Sequence, residues 1–198
     1  MLKEPRPGRV KTRLGRDIGM TDAAWWFRHQ ALGLIRHLRD PRWDIVLAVS
    51  PDHAGMASRV WPGHLPRVAQ GPGDLGDRFG RLFRGGQKGP RLIVGADVPA
   101  MRRRHIARAF DALGNHQAVL GPAPDGGYWL IGLKRATPLP LRVFAGVRWS
   151  TGQAMADTIA GLAPLRIALV DRLADVDTAG DLANAWGPPI PRRARCGG

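Results

Sequence analysis

The chain has 198 residues and a formal net charge of +14, from 30 Lys and Arg against 16 Asp and Glu. This length favours one domain, and a 44% hydrophobic content excludes an intrinsically disordered chain. No apolar run approaches the roughly 18–20 residues of a membrane helix, and residues 1–5 do not form the apolar stretch of a signal peptide. The single cysteine, Cys196, excludes a disulfide framework and a cysteine-based zinc site. We therefore expect a cytoplasmic protein.

The positive charge is typical of nucleic-acid-binding domains, but its distribution points elsewhere. Only four of the 30 cations are lysines, and the arginines are spread along the whole chain. The two arginine clusters, at 102–104 and 192–195, are not interleaved with the aromatic residues that stack on bases. We therefore do not expect nucleic acid to be the main partner. A small phosphate-bearing molecule that contacts the N-terminal loop fits the sequence better.

Short apolar runs alternate with segments of helical periodicity along the chain. Strands are predicted over 44–50, 91–96, 117–120, 128–133 and 166–170. Helices are predicted over 21–38, 74–83, 102–113, 151–162 and 179–186. This alternation predicts an α/β fold, with one mostly parallel sheet in a three-layer α/β/α sandwich, over a single domain 1–187. The basic segment 188–198 is predicted to be a disordered tail.

The beginning of the sequence indicates an incomplete strand. Residues 1–3 resemble the last part of a strand, but three residues are short against the usual five or six. We expect that the first strand of the sheet is truncated in this sequence and begins upstream of it.

The segment from Lys3 to Leu14 follows this strand remnant and combines prolines and a glycine with several cations. Gly8 allows backbone N–H groups to approach an anion, while Lys11 and Arg13 offer the donors that a di- or triphosphate needs. It lacks the spacing of a Walker A motif. A stiff basic surface loop is the equally simple alternative.

Two carboxylates follow predicted strands, where parallel sheets bind their ligands. Asp97 comes directly after the strand 91–96 and could hold Mg²⁺ or Mn²⁺, or could instead cap the next helix. Asp125 lies in an Asp-Gly-Gly segment beside Tyr128, which could contact a sugar or nucleotide, or could simply form a hairpin turn.

Two further segments precede predicted helices, and each could either bind a ligand or simply cap the helix that follows. Ser150 or Thr151 could serve as a helix N-cap after Trp149. Asp175 and Asp177 are two residues apart, immediately before a helix that Asp177 or Thr178 could cap. The scattered histidines exclude a His-x-x-x-His zinc site, and the sequence has neither a Gly-x-Ser-x-Gly elbow nor a Gly-x-Gly-x-x-Gly nicotinamide motif.

Taken in order, six motifs resemble those of one bacterial family, the radical-SAM/selenodomain-associated transferases, which are glycosyltransferase-A-like. The matching residues are 3–14 (Lys-x-Pro-x-Pro-Gly-x-Val-Lys-Thr-Arg-Leu), 73–78, 95–99, 121–128, 149–151 and 175–182. Members of the family have a full hydrophobic first strand before the residue equivalent to Lys3, and this sequence does not.

The resemblance implies a nucleotide-diphospho-sugar transferase fold that binds a nucleoside triphosphate or a nucleotide-sugar with Mg²⁺ or Mn²⁺. It implies metal binding by Asp97 and Asp177, and catalytic roles for Asp97 and Asp125. The residues implied for nucleotide and phosphate binding are Lys3, Gly8, Lys11, Arg13, Asp74 and Arg78. Those implied for the acceptor side are Gly126, Gly127, Tyr128, Trp149, Ser150 and Thr151.

The expected function is therefore metal-dependent transfer from a nucleotide-activated donor, either of a glycosyl or of a nucleotidyl group. A binding protein for nucleotides or nucleotide-sugars without catalytic activity is the alternative. The acceptor and the oligomeric state stay open.

Overall fold

The structure, a computed structural model, describes residues 1–86, 88–134 and 143–186. The predicted tail 188–198, with Cys196, lies outside these residues. The described strands are β1 (Leu2–Lys3), β2 (Leu47–Ser50), β3 (Arg67–Ala69), β4 (Arg91–Val94), β5 (Ala118–Pro122), β6 (Tyr128–Leu133) and β7 (Ile167–Leu169). The described helices are α1 (Thr12–Ile18), α2 (Met20–His37), α3 (Asp52–Met56), α4 (Leu75–Arg84), α5 (Arg103–Asn115), α6 (Ala154–Gly161) and α7 (Ala179–Trp186).

The strands form two hydrogen-bonded sheets. The first has the order β1-β2-β3 and is parallel throughout, with Leu2 opposite Val49. The second has the order β4-β6-β5-β7, in which β6 is antiparallel to both β4 and β5, while β5 and β7 are parallel. The predicted α/β class is confirmed. The predicted single, mostly parallel sheet is only partly correct, because the described strands form two sheets and the second of them is mixed.

The reversal of β6 has a simple cause. The connection between β5 and β6 covers only residues 123–127, whereas a crossover between parallel strands needs a dozen or more residues. The chain therefore turns back on itself, with Ala123 N–H donating to Gly127 O at 3.0 Å. The hairpin interpretation of the Asp-Gly-Gly segment is thus confirmed.

Most predicted elements exist, with shifts at their ends. Strand 128–133 and helix 179–186 have the predicted bounds, and β1 confirms the short strand at residues 2–3. The helix predicted over 151–162 begins only at Ala154, because the Thr151 hydroxyl accepts from Gln153 N–H in a turn before it. Neither Ser150 nor Thr151 is the helix N-cap, which is Gln153. The short elements α1, α3 and β3 were not predicted.

Helices cover both faces of the second sheet. In β5, Val119 packs in a cluster with α5 residues such as Ile106, whereas Leu120 packs in a cluster with Phe79 and Phe83 of α4. The side chains of a strand alternate between the two faces, so α5 covers one face and α4 covers the other. An apolar cavity of about 140 Å³ lies between β2, β4, α2 and α5. Among the described helices, none is long and apolar enough to cross a membrane.

Gly126 is the tightest point of the β5–β6 hairpin. Its φ is +84°, and a Cβ there would lie 2.6 Å from the Cα of Gly152. We expect Gly126→Ala to lower the melting temperature by about 3–10 °C, because the substitution adds a backbone clash to an unfavourable conformation. Gly114→Ala is the control, since Gly114 lies in α5 with nothing within 4 Å of its Cβ position. Melting curves in which both variants behave alike would contradict this role.

Candidate functional site

Charged residues from four connections meet at one edge of the sheets. Lys11 follows β1, Asp97 follows β4, Asp125 follows β5, and Asp175 and Asp177 follow β7. The Lys11 Nζ lies 2.5 Å from Asp97 Oδ2 and 2.8 Å from Asp177 Oδ1. This edge is where the C-terminal ends of parallel strands converge, as the sequence predicted for Asp97.

The loop before α1 holds Lys11 in this position. Val10 is 3% exposed and anchors the loop in the core. Lys11 itself has φ 45° and ψ 48°, a left-handed conformation that costs a non-glycine residue about 1–2 kcal/mol. Its side chain is only 8% exposed. The ion pairs with Asp97 and Asp177 offset part of this cost, so the local backbone and the charged cluster depend on each other.

Asp97 is fixed by backbone contacts on both sides. Gly95 N–H donates to Trp129 O at 3.0 Å, and the Asp97 carbonyl accepts from Val176 N–H at 3.1 Å. The helix-cap interpretation of Asp97 is wrong, because α5 begins at Arg103 with Arg102 in the N-cap position. The Asp97 carboxylate therefore faces Lys11 and does not cap a helix.

The segment Asp175-Val176-Asp177 carries the other two carboxylates. Val176 is 1% exposed and packs in the core, so its two neighbours project to the other side of this extended stretch. The carboxylate oxygens of Asp97, Asp175 and Asp177 lie within 4.8 Å of one another. Asp175 was missing from the residues expected at the metal, although its spacing of two from Asp177 could have revealed it.

The helix-cap interpretation of this segment is also confirmed, for Thr178 and not for Asp177. Asp181 Oδ2 accepts from Thr178 N–H at 2.8 Å, while Asp181 N–H donates to the Thr178 hydroxyl at 3.2 Å. Asp17 accepts from Ala179 N–H at 3.0 Å. These contacts cap α7 and leave the Asp177 carboxylate for Lys11 and Arg13.

The cluster perturbs the titration of its members. Burial, with a further contribution from the charge of Asp97, raises the pKa of Asp175 to about 6. Burial alone would lower the pKa of the Lys11 ammonium, but the charge of Asp97 and hydrogen bonds to Asp177 and Asp97 outweigh it, so this pKa is raised. Lys11 is therefore protonated near neutral pH, whereas Asp175 binds a proton more readily than an exposed aspartate.

These carboxylates fit a divalent cation. Mg²⁺ and Mn²⁺ favour oxygen ligands, and three carboxylates within 4.8 Å of one another provide them. Even with Lys11 and Arg13 counted, the three carboxylates and the nearby Asp125 exceed the adjacent positive charge. The Lys11 ammonium contacts two of these carboxylates and so occupies ligands that a divalent cation would need.

Two of the cations expected to bind phosphate, Lys11 and Arg13, contact this cluster. Arg13 is 64% exposed and its Nη1 lies 3.0 Å from Asp177 Oδ2. Lys3, Arg6 and Arg9 are exposed, and the described part of the chain offers them no ion pair. Gly8 has φ +72° and open space around it, as the predicted close approach requires.

Asp74 and Arg78 have structural contacts of their own. Asp74 caps α4 in a capping box with Asp77. Arg78 donates to Gly73 O at 3.2 Å and to Gln70 Oε1 at 3.3 Å. Gln70 is buried and donates to the carbonyls of Leu2 and Ala48 in β1 and β2. Binding of a nucleotide by Asp74 and Arg78 stays a prediction.

The residues expected on the acceptor side divide into two groups. Asp125 is exposed and accepts from Gly127 N–H at 2.9 Å, and its charge acts on Asp175. The Tyr128 hydroxyl instead contacts Thr158 at 3.2 Å, and burial raises its pKa. The Trp149 ring packs 5.7 Å from Phe79. The structure therefore brings Asp125 to the cluster and gives Tyr128 and Trp149 packing contacts.

Ser150 and Thr151, which were also expected on the acceptor side, lie in the turn before α6. Ser150 is exposed with φ 60°, and the Thr151 hydroxyl donates to Arg148 O at 2.7 Å. Gly126 brings this turn against the hairpin that carries Asp125, through the close approach to Gly152.

The raised pKa of Asp175 predicts how stability changes with pH. The folded protein binds this proton near pH 6 and the unfolded chain near pH 3.8, so the fold loses stability as the pH rises between these two values, and the loss is complete above about pH 6. Asp175→Asn should therefore raise the melting temperature by about 2–4 °C at pH 8, and the gain should vanish as the pH falls towards 4. The exposed Asp111→Asn is the control. A gain that is the same at pH 8 and pH 4 would contradict the assignment.

Solved structures similar to this chain have the predicted type of fold. A proposed nucleotide-diphospho-sugar transferase from Desulfovibrio desulfuricans G20 superposes with a TM-score of 0.77 at 29% identity, over 89% of this chain and 80% of that one. A 4-diphosphocytidyl-2C-methyl-D-erythritol synthase from Anaerococcus prevotii DSM 20548 gives 0.54 at 11% identity, over 80% and 83%. The second likeness concerns the fold alone. The chain thus has a nucleotide-diphospho-sugar transferase-like fold.

A search of curated proteins finds no match to the sequence. The association with radical-SAM proteins and selenodomains that the motifs suggested stays a prediction. A family profile described as "Uncharacterized protein conserved in bacteria (DUF2064)" matches residues 34–151, which is more than half of the chain. The chain therefore belongs to the DUF2064 family.

Proposed function

We propose that this protein is a transferase that uses a nucleotide-activated donor together with Mg²⁺ or Mn²⁺. The observation that carries the proposal is the convergence of Lys11, Asp97, Asp175 and Asp177 at the C-terminal edge of the strands. Ligands of open α/β sheets bind at this edge. The likeness to a proposed nucleotide-diphospho-sugar transferase supports the same class of donor.

The donor's phosphates would contact the loop between β1 and α1. Lys11 and Arg13 carry charged donors beside the cluster, and Gly8, which has a positive φ and open space around it, allows a close approach. The exposed Arg6 and Arg9 add positive charge on the same loop. A diphosphate or triphosphate would gain charge-assisted hydrogen bonds there, so the loop orients the donor by its phosphates and not by its base or sugar.

Asp97 and Asp177 would hold the divalent cation, and we add Asp175 as a third ligand. When bound, such a cation neutralises the charge that develops on the leaving phosphate oxygens. In glycosyl transfer, Asp125, fixed by the Gly127 N–H, would accept the proton of the attacking hydroxyl while a nucleoside diphosphate leaves. In nucleotidyl transfer, an ionised phosphate oxygen of the acceptor would attack without a base and pyrophosphate would leave.

Asp97→Asn tests the proposal most simply, because asparagine keeps the shape of the side chain and removes the charge that the cation requires. We first expect a panel of nucleoside triphosphates and nucleotide-sugars to reveal at least one stabilising ligand of the wild type with Mg²⁺ or Mn²⁺. A ligand at 100 times its dissociation constant adds about 2.7 kcal/mol to the free energy of unfolding. Asp97→Asn should fold and lose this metal-dependent stabilisation.

Asp111→Asn, on the exposed face of α5, is the matched control and should retain the full stabilisation. Metal-dependent nucleotide binding that persists in Asp97→Asn would contradict the proposal. Binding without turnover over a panel of acceptors would favour the alternative, a non-catalytic nucleotide-binding protein.

Arg13 supplies an independent test of the phosphate loop. Arg13→Ala should weaken nucleotide binding about ten- to hundredfold, the effect of one lost charge-assisted hydrogen bond of about 1.5–3 kcal/mol. Arg16→Ala removes the same charge one turn further along α1 and is the control. Nucleotide titrations by calorimetry that give equal affinities for the two variants would exclude Arg13 from the phosphate site.

A further inference from the structure

The Lys11 ammonium occupies the position where a cation would neutralise the carboxylates. It contacts Asp97 at 2.5 Å and Asp177 at 2.8 Å, and these two residues belong to the three whose oxygens lie within 4.8 Å. A divalent cation would contact carboxylate oxygens at about 2.0–2.1 Å. The Lys11 ammonium and the divalent cation would then lie within a few ångströms of each other among the same carboxylates.

Water screens these two charges from each other only in part. The Lys11 side chain is 8% exposed, that of Asp97 26% and that of Asp177 37%. The left-handed backbone at Lys11 also directs the side chain towards the carboxylates and not into solvent. Repulsion between an ammonium and a divalent cation is strong in such surroundings. The two cations therefore compete for the cluster.

We infer that Lys11 and the divalent cation are alternative partners of Asp97 and Asp177, and that Lys11 moves to the donor's phosphates when the cation binds. This inference rests on the proposed function. Lysine suits such an exchange, since its ammonium is a compact charge on a flexible four-carbon stem with three donors. Phosphate oxygens replace the hydrogen bonds that Lys11 loses on leaving the carboxylates.

The exchange makes cation binding depend on the donor. Without phosphate, the cation must displace Lys11 and leave its ammonium partly buried without an acceptor, so the free protein should bind Mn²⁺ weakly. With a nucleoside diphosphate present, Lys11 gains a new partner and the cation gains phosphate oxygens as ligands. Lys11 thus couples the binding of the cation to the binding of the donor's phosphates, because it contacts the carboxylates in one state and the phosphates in the other.

Removal of the Lys11 charge tests this competition with Mn²⁺ alone. We choose Lys11→Asn because asparagine tolerates the left-handed conformation, and Lys11→Gly as a second variant that relieves it altogether. Both should bind Mn²⁺ about ten- to hundredfold more tightly than the wild type, measured from the free Mn²⁺ signal in electron paramagnetic resonance. The double variant Lys11→Asn/Asp97→Asn should lose this gain.

Lys134→Gln controls for the change in net charge. Lys134 follows β6, which runs antiparallel to β4 and β5, so it lies at the opposite edge of the sheet, where its Nζ donates to Gly114 O. This variant should bind Mn²⁺ as the wild type does. Thermal melts of every variant establish that it is folded before its Mn²⁺ affinity is compared.

The outcomes separate the inference from the proposed function. Equal Mn²⁺ affinity in the wild type, Lys11→Asn and Lys11→Gly would overturn the competition, even if nucleotide binding persists. Tighter Mn²⁺ binding in both Lys11 variants, reversed by Asp97→Asn, would support the competition even if no nucleotide in the panel stabilises the wild type. In that second case only the proposed function would fail.

Discussion

The ion pairs of Lys11 with Asp97 and Asp177 hold the candidate site together. They join the connections that follow β1, β4 and β7, and therefore link the two sheets at the edge that carries the candidate site. The backbone contact of Val176 N–H with Asp97 O fixes two of these connections independently of any side-chain charge. A left-handed, nearly buried lysine is unfavourable by itself, so this position persists only because the carboxylates surround it.

These ion pairs belong to a local cluster of negative charge in a protein that is strongly basic as a whole. The net charge is +14, yet Asp97, Asp125, Asp175 and Asp177 collect at one edge. The exposed Arg13 borders them through its ion pair with Asp177, and Lys3, Arg6 and Arg9 are exposed in the same 3–14 segment. A ligand with both phosphate groups and an associated divalent cation matches this pairing of opposite charges. A ligand with only one sign of charge would leave one of the two groups unneutralised.

The sequence predicted the α/β class and the position of Asp97 correctly, for a physical reason. Apolar runs such as Leu92-Ile93-Val94 identify buried strands, and a polar residue just after such a run lies at the sheet edge. The sequence left the direction of β6 open, because the pattern of a buried strand does not depend on its direction. Only the short 123–127 connection carried that information.

Other features required the three-dimensional structure. Asp175 is separated from Asp97 by many residues, and nothing local distinguishes a carboxylate that caps a helix from one that faces Lys11. Tyr128 and Trp149 stand in motifs that suggest contact with a ligand, but their polar and ring contacts are with Thr158 and Phe79. These contacts leave the two side chains half-buried, and their contact with an acceptor stays a prediction.

The central claim is that one edge of the sheets binds a nucleotide and a divalent cation together. The most direct measurement is an anomalous difference map from a crystal grown with Mn²⁺ and a nucleoside diphosphate. We expect one Mn²⁺ peak among the carboxylates of Asp97, Asp175 and Asp177, with the Lys11 Nζ on a phosphate oxygen. A peak at another site, or a nucleotide bound away from this edge, would contradict the account.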